Sequence, residues 1–322
     1  MYWVVFLTIF TAASVHSQII TQTFGSGANQ FSIDFVTIGN TGNIADTTGS
    51  PNPAGSVNYT YQIGKYEVSR DIVNKGNILG SLGITMADMS AKGGNGNLRP
   101  ATGISWNEAA RFVNYLNLSY GSPVAYKFST SPGDANYVAN SNIIYWSNGT
   151  AEYNSQNPAR NKLAKFFLPD LDEWYKAAYF SAINNKYYDY ATGSDSAPNA
   201  VSGGTSNGTS VYNNISNGPT DVNLAGGLSP YGTMGQNGNA AEWIEENLGG
   251  GYNSIGSYMW LKGGSWTSGS WELSSSGQNA YFAADGPDIA GFRVAAIIPE
   301  PSALSLLAVG LGALAMMRRR RS

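Results

Sequence analysis

The stretch 231–266, YGTMGQNGNAAEWIEENLGGGYNSIGSYMWLKGGSW, decides how this chain is read. Two clusters of small residues and tryptophan flank a variable insert, the first closing on Glu242-Trp243 and the second on Gly263-Gly264-Ser265-Trp266. Glycine lets backbone segments approach closely and adopt left-handed turns, and tryptophan covers a large apolar area. Together they imply irregular backbone packed under aromatic lids, with one carboxylate, Glu242, held among backbone groups.

Composition narrows the chemistry. Charged residues make up 12% of the 322 residues, about half the usual share, against 42% hydrophobic. With 39 Gly, 20 Tyr and 8 Trp, the chain suits a loop-rich aromatic fold better than a helical bundle. It has no cysteine, which removes disulfides, thiolate nucleophiles and thiolate metal sites. Its single histidine, His16, falls in a segment read below as a leader, so the body has no imidazole base or imidazole metal ligand. Any metal must be a hard cation on oxygen ligands, calcium first. Without the tail from residue 299, the chain has 14 basic and 20 acidic residues, and nucleic acid is not an expected partner.

Both ends read as addresses. Residues 1–17 are apolar through Phe10 and then small, with Val15 and Ser17 suited to a signal-peptidase site before Gln18. The n-region has no Lys or Arg, and a buried N-terminal strand is the alternative. At the other end, Pro299-Glu300-Pro301 is followed by the apolar run 302–317 and then Arg318 to Arg321. This order resembles the PEP-CTERM sorting signal, which implies processing by an exosortase; a plain tail anchor is the alternative. The expected division is a signal peptide at 1–17, a body at 18–298 and a sorting signal at 299–322 with a membrane span at 302–317. The precursor would then be held in the inner membrane, and the product would reach the cell surface or extracellular matrix.

Within the body, FSIDFVTI (31–38) and YTYQIGKYEV (59–68) alternate as strands, and Ser69 can cap a short helix over 71–79. Ser105-Trp-Asn-Glu108 fits a capping box. Ala109, Phe112, Val113 and Leu116 follow at helical spacing, with Arg111 and Asn114 expected outward. Residues 121–161 read as a surface excursion with short strands near 126–128 and 143–146. Asp170 with Glu173 caps a second helix that buries Trp174, Ala177 and Ala178. Coil pinned at intervals follows to residue 229, with strands at 258–262 and 291–297. The architecture is α+β, two main helices against small twisted sheets with extensive coil.

Six segments in this order resemble the formylglycine-generating enzymes, or sulfatase-modifying factors. They are IGKYEVS (63–69), ISWNEAARFVNYLN (104–117), FFLPDLDEWYKAAYF (166–180), YGTMGQNGNAAEW (231–243), LKGGSW (261–266) and GFRVA (291–295). The resemblance implies a variant of the C-type lectin fold. It also implies copper-dependent oxidation through two cysteines after the GGS motif, but those places fall at Ser268 and Leu273. A serine without a neighbouring histidine is a poor nucleophile and a poor copper ligand. Members that use iron draw histidines from a partner domain, so neither copper nor iron is expected.

The resemblance further implies calcium. Glu242 matches a carboxylate ligand, and Gly238 and Ala240 match carbonyl ligands, with Gly235 in place of the usual acidic or amide residue. A second, poorly aligned set falls at Asn214, Ile215 and Asn223. The alternative for Glu242 is a buried carboxylate that accepts backbone amides. Trp106, Trp174, Trp243 and Trp266 read as core. Trp146, Trp260, Trp271, Tyr145, Tyr153 and Tyr252, in the variable inserts, are candidates for a surface that stacks sugars or a protein partner. Asp285, Asp288 and Arg293 read as a local ion pair. The expected function is a non-catalytic exported protein that binds exopolysaccharide or a surface protein. The alternatives are a divergent metal-dependent enzyme and a purely structural surface protein.

Overall fold

The computed structural model describes residues 18–130, 143–247 and 258–298. Two sheets organise it. The larger is five-stranded, in the order β1 (Ile19–Phe24), β2 (Phe31–Ile38), β3 (Tyr61–Gly64), β9 (Ala295–Ile297) and β4 (Phe166–Phe167), with antiparallel neighbours throughout. The smaller runs β7 (Asn279–Phe282), β6 (Tyr258–Lys262), β5 (Ala241–Asn247) and β8 (Ala290–Gly291), in which only β5 and β8 are parallel. β2 and β6 occupy the segments 31–38 and 258–262 expected to be strands. The predicted 59–68 strand is paired only over Tyr61–Gly64, and 291–297 is broken around Arg293. Strand β1 was not predicted; its outer face is largely exposed and its apolar residues do not alternate cleanly.

Three helices follow their caps. α1 (Arg70–Gly80) starts where the Ser69 hydroxyl accepts the Ile72 amide. α2 (Trp106–Tyr120) and α3 (Leu171–Tyr179) each open with a complete capping box, Ser105 with Glu108 and Asp170 with Glu173. A single further turn, α4 (Ser270–Leu273), follows the GGSW segment. None of these helices is long and apolar enough to cross a membrane. The expected leader, the Pro299–Pro301 motif and the span 302–317 lie outside the described residues, as does Tyr252.

The core tryptophans are buried as expected, and two of them link the sheets through α2. Trp106 Nε1 donates to the Ile244 carbonyl at 2.9 Å, and Trp243 Nε1 donates to the Ile104 carbonyl at 2.7 Å. Each indole is thus buried with its polar atom satisfied.

Arg111 and Asn114 do not face outward; they are 3% and 1% exposed. Helix α2 is covered on that side too, because Asn114 holds both the amide and the carbonyl of Tyr126 (2.9 and 2.7 Å) and so docks the segment after residue 121 against the helix. The expected surface excursion is therefore tied in: its short strands pair (Lys127–Phe128 with Ile143–Ile144), and Asn157, Arg160 and Asn161 are buried. The later coil is pinned at intervals, for example by Ala191 N–H to Asn237 Oδ1 and Ser229 Oγ to the Ala177 carbonyl.

Candidate functional site

The segment from residue 231 forms the polar centre of the molecule. Gly238 (φ +91°) and Gly263 (φ +88°) sit where backbones nearly touch: a Cβ on Gly238 would lie 2.3 Å from the Val211 carbonyl oxygen, and one on Gly263 would lie 2.8 Å from that of Gln236. This contact brings the two clusters together, with Gly238 N–H donating to the Gly263 carbonyl at 2.7 Å. Behind them lie three fully buried side chains. Arg293 holds Glu242 in a fork, Nε to Oε2 and Nη2 to Oε1, both at 2.5 Å, and Trp174 Nε1 donates to Oε2 at 2.6 Å. Arg293 also donates to the carbonyls of Gly64 and Met234 (2.8 and 2.9 Å). Arg293 is thus the hub of the coil rather than a partner of Asp285 or Asp288; Asp288 pairs instead with Lys92.

These donors decide whether calcium fits at Glu242. Calcium requires six to eight oxygen ligands, usually with carboxylates among them. Here both oxygens of Glu242 are taken by nitrogen donors, and a guanidinium of like charge to the ion is in contact with them. The residues around Glu242 do not fit calcium; a fixed internal cation holds the carboxylate instead. The amide of Ala240 is committed to Glu67 Oε1 (2.8 Å), and Asn239 Nδ2 donates to Glu67 Oε2 (2.6 Å). Asn214 and Ile215 lie at the surface, with Asn214 bonded to Trp266 and Thr267. Asn223 lines a separate cleft, and no hydrogen bond joins it to either of the other two.

Glu67, which the sequence reading had not singled out, is the second buried acid of this centre. Burial, and then the charge of Glu242, push its carboxyl well above the usual range, against the pull of Arg293 and its two N–H donors. A fourth buried ionisable group is Lys262, on β6 just before the GGSW turn. Its Nζ donates to the carbonyls of Ser275 and Gly277 (2.9 and 2.7 Å), and burial lowers its pKa to about 7.

The places that match catalytic cysteines lie beside this centre. The Ser268 hydroxyl accepts the Ser265 amide at 3.0 Å and lies 3.5 Å from the Ser265 hydroxyl. No acid, base or cation contacts it among the described residues. Leu273 is fully buried, and a Cβ on Gly264 would come within 2.8 Å of it. Where a reactive pair would stand there is a hydrogen-bonded turn and a packed leucine.

A second internal cation explains the tied-in excursion. Arg160 bridges Glu173 (2.7 Å) and Glu245 (2.5 Å), and its guanidinium stacks 3.8 Å from the centre of the Phe167 ring. Tyr59 donates to Glu173 at 2.5 Å, and Tyr126 and Asn157 donate to Glu245. Burial alone would raise the Glu173 carboxyl, but Arg160 and Tyr59 outweigh it and hold the pKa below the ordinary value. Every group here is satisfied internally, so the cluster is structural.

A cleft of about 240 Å³ lies between β2, the start of α1 and residues 222–223. Ser32, Asp34, Tyr66, Ser69 and Asn223 supply its polar lining and Ile72, Leu98 and Val222 its apolar side, with Glu67 at the inner end. No basic residue lines it. The aromatic residues of the inserts are not equivalent to it: Trp260 is 8% exposed and belongs to the core, Trp271 is 63% exposed, and Trp146 is partly covered, with Nε1 bonded to the Ala125 carbonyl.

The model of the sulfatase-modifying factor enzyme 1-like domain matches residues 31–298, and that of the PEP-CTERM protein-sorting motif matches residues 298–321. Among solved structures, the Treponema denticola variable protein 1 is 17% identical, with a TM-score of 0.58 over 87% of this chain and 99% of its own. CarF is 17% identical, with a TM-score of 0.56 over 83% of this chain and 98% of its own. PvdO from Pseudomonas aeruginosa is 14% identical, with a TM-score of 0.51 over 86% of this chain and 98% of its own. At these identities the likeness shows the fold. No curated protein matches the sequence.

Proposed function

The chain belongs to the sulfatase-modifying factor enzyme 1-like family, and we propose that it is a non-catalytic member that binds polysaccharide or a surface protein outside the cell. The sorting motif makes it an exported protein recognised by an exosortase. One observation carries the non-catalytic reading. Ser268 and Leu273, in the places of the reactive cysteines, have become a closed turn and a core side chain. Without a thiolate, or a base beside the serine, the family's oxidation has no starting group.

The cleft over Glu67 supports binding. It pairs hydroxyl, amide and carboxylate groups with an apolar wall and carries no positive charge, which suits a neutral sugar better than an anionic one. Asp34 and Tyr66 are the residues that would orient a ring there. A glycan array with the purified chain tests this reading. It predicts binding to neutral glycans that falls at least several-fold in the Asp34→Ala and Tyr66→Ala variants. A blank array, or binding indifferent to both substitutions, contradicts the cleft assignment.

A further inference from the structure

The two ends of the body meet the larger sheet at the same end of its strands. β1 enters the sheet at Ile19, opposite Val36, and the Gln18 carbonyl accepts the Thr37 amide. Thr37 pairs with Gln62, and Gln62 pairs with Ala296 on β9. Gln18 and Ala296 therefore lie in one cross-strand row, three strand spacings or about 14 Å apart. β1 enters the sheet at this end and β9 leaves by it. Only Ile298 separates β9 from Pro299, where the sorting motif begins.

This end also has its own surface chemistry. The last turn of α2 exposes Leu118 (51%) and Tyr120 (49%), and the turn before β4 exposes Leu163 (49%). Lys165 lies between them, its Nζ 3.6 Å from the centre of the Tyr120 ring and its carbonyl accepting the Ile297 amide. Lys162 is exposed beside Leu163, and Ile19 is 50% exposed at the start of β1. Exposed aliphatic side chains, one tyrosine and two lysines suit the boundary between lipid headgroups and acyl chains, where amphipathic rings and long cationic stems are favoured. Only four residues separate Ile297 from the apolar run 302–317, which leaves too little chain to hold the body far from a bilayer.

We infer that, before its tail is cut, the protein stands on the membrane with this end of the five-stranded sheet down, and that Leu118, Tyr120, Leu163 and Lys165 rest on an anionic lipid surface. The inference shares with the proposed function only the export signal, and does not depend on what the cleft binds.

The chain has no cysteine, so single-cysteine variants of the full chain take one label each. Leu163→Cys and Leu118→Cys report the proposed contact. Ser26→Cys, exposed beyond the far end of β1, sits about 17 Å or more away along the sheet. Labelled chains are reconstituted into vesicles of phosphatidylethanolamine and phosphatidylglycerol that carry a lipid-borne quencher. Expected is flotation of all three, with quenching at Leu163→Cys and Leu118→Cys several-fold stronger than at Ser26→Cys. Flotation with equal or reversed quenching overturns the orientation and leaves the glycan reading untouched. Failure of all three to float overturns the orientation together with the anchoring role of the tail.

Discussion

Arg293 and Glu242 are both fully buried, and each satisfies most of the other's polar atoms. Removing one partner of such a pair leaves an uncompensated buried charge, which costs about 3–5 kcal/mol, whereas replacing both can be nearly neutral. Arg293→Met is thus expected to lower the unfolding free energy by about that amount, and the Arg293→Met/Glu242→Leu double variant to recover much of it; equal losses in single and double variants would remove the pair from this role. Because a guanidinium holds Glu242, the melting temperature is expected to be the same with calcium and with chelator, and a calcium-dependent rise would restore a metal at this centre. Lys262 gives a pH signature. In the unfolded chain its pKa is about 10.4, and burial lowers it to about 7 in the folded state. Below pH 7 the full penalty of burying the charge is present; between about 7 and 10 only the unfolded chain keeps the proton, so this group makes stability rise with pH across that window. Lys262→Met should flatten the rise, measured as denaturation midpoint against pH; an unchanged slope would contradict it. At this scale little was legible. Glu242 stands out beside its tryptophan, but its partner lies 51 residues away, and no spacing announces that Arg293, Lys262 or Glu67 is buried.

Elements were easier to read where their signals are local. Ser105 and Glu108 sit three residues apart, and both bonds of the capping box form, so α2 begins where the sequence places it. Ser105→Ala is expected to cost about 1 kcal/mol in denaturant unfolding; no measurable loss would mean that tertiary packing alone sets this helix start. The same helix shows where local reading stops. Arg111 and Asn114 lie on the polar side of the helical wheel, yet both are buried: Arg111 Nε donates to the Leu82 carbonyl of the segment before the helix, and the segment after residue 121 folds back over Asn114 and is held, further along, by Arg160. Asn and Arg at surface spacing look alike whether solvent or a polar coil covers them. β1 was missed for a related reason: as an edge strand with one open face it carries little apolar alternation.

Across the whole molecule, the order of the motifs was the readable feature. Short segments from 63–69 to 291–295 meet at the polar centre although most of the chain between them is coil, and this fixes the family fold through many pinned backbone groups rather than through long sheets. The cleft was not legible, since Ser32, Asp34, Tyr66 and Asn223 come from three separate regions with no common pattern. Of the insert aromatics that were candidates for a stacking surface, Trp260 belongs to the core, Trp271 is exposed, and Tyr145, Trp146 and Tyr153 are half-buried. The proposed non-catalytic role requires that this scaffold lack the copper-dependent oxidation that the family resemblance implies, because Ser268 and Leu273 stand where cysteines would act. Its most direct test is to incubate the purified chain with a sulfatase-type cysteine peptide, copper and oxygen, and to weigh the peptide by mass spectrometry. An unchanged peptide mass is expected; conversion of the cysteine to formylglycine would overturn the non-catalytic reading.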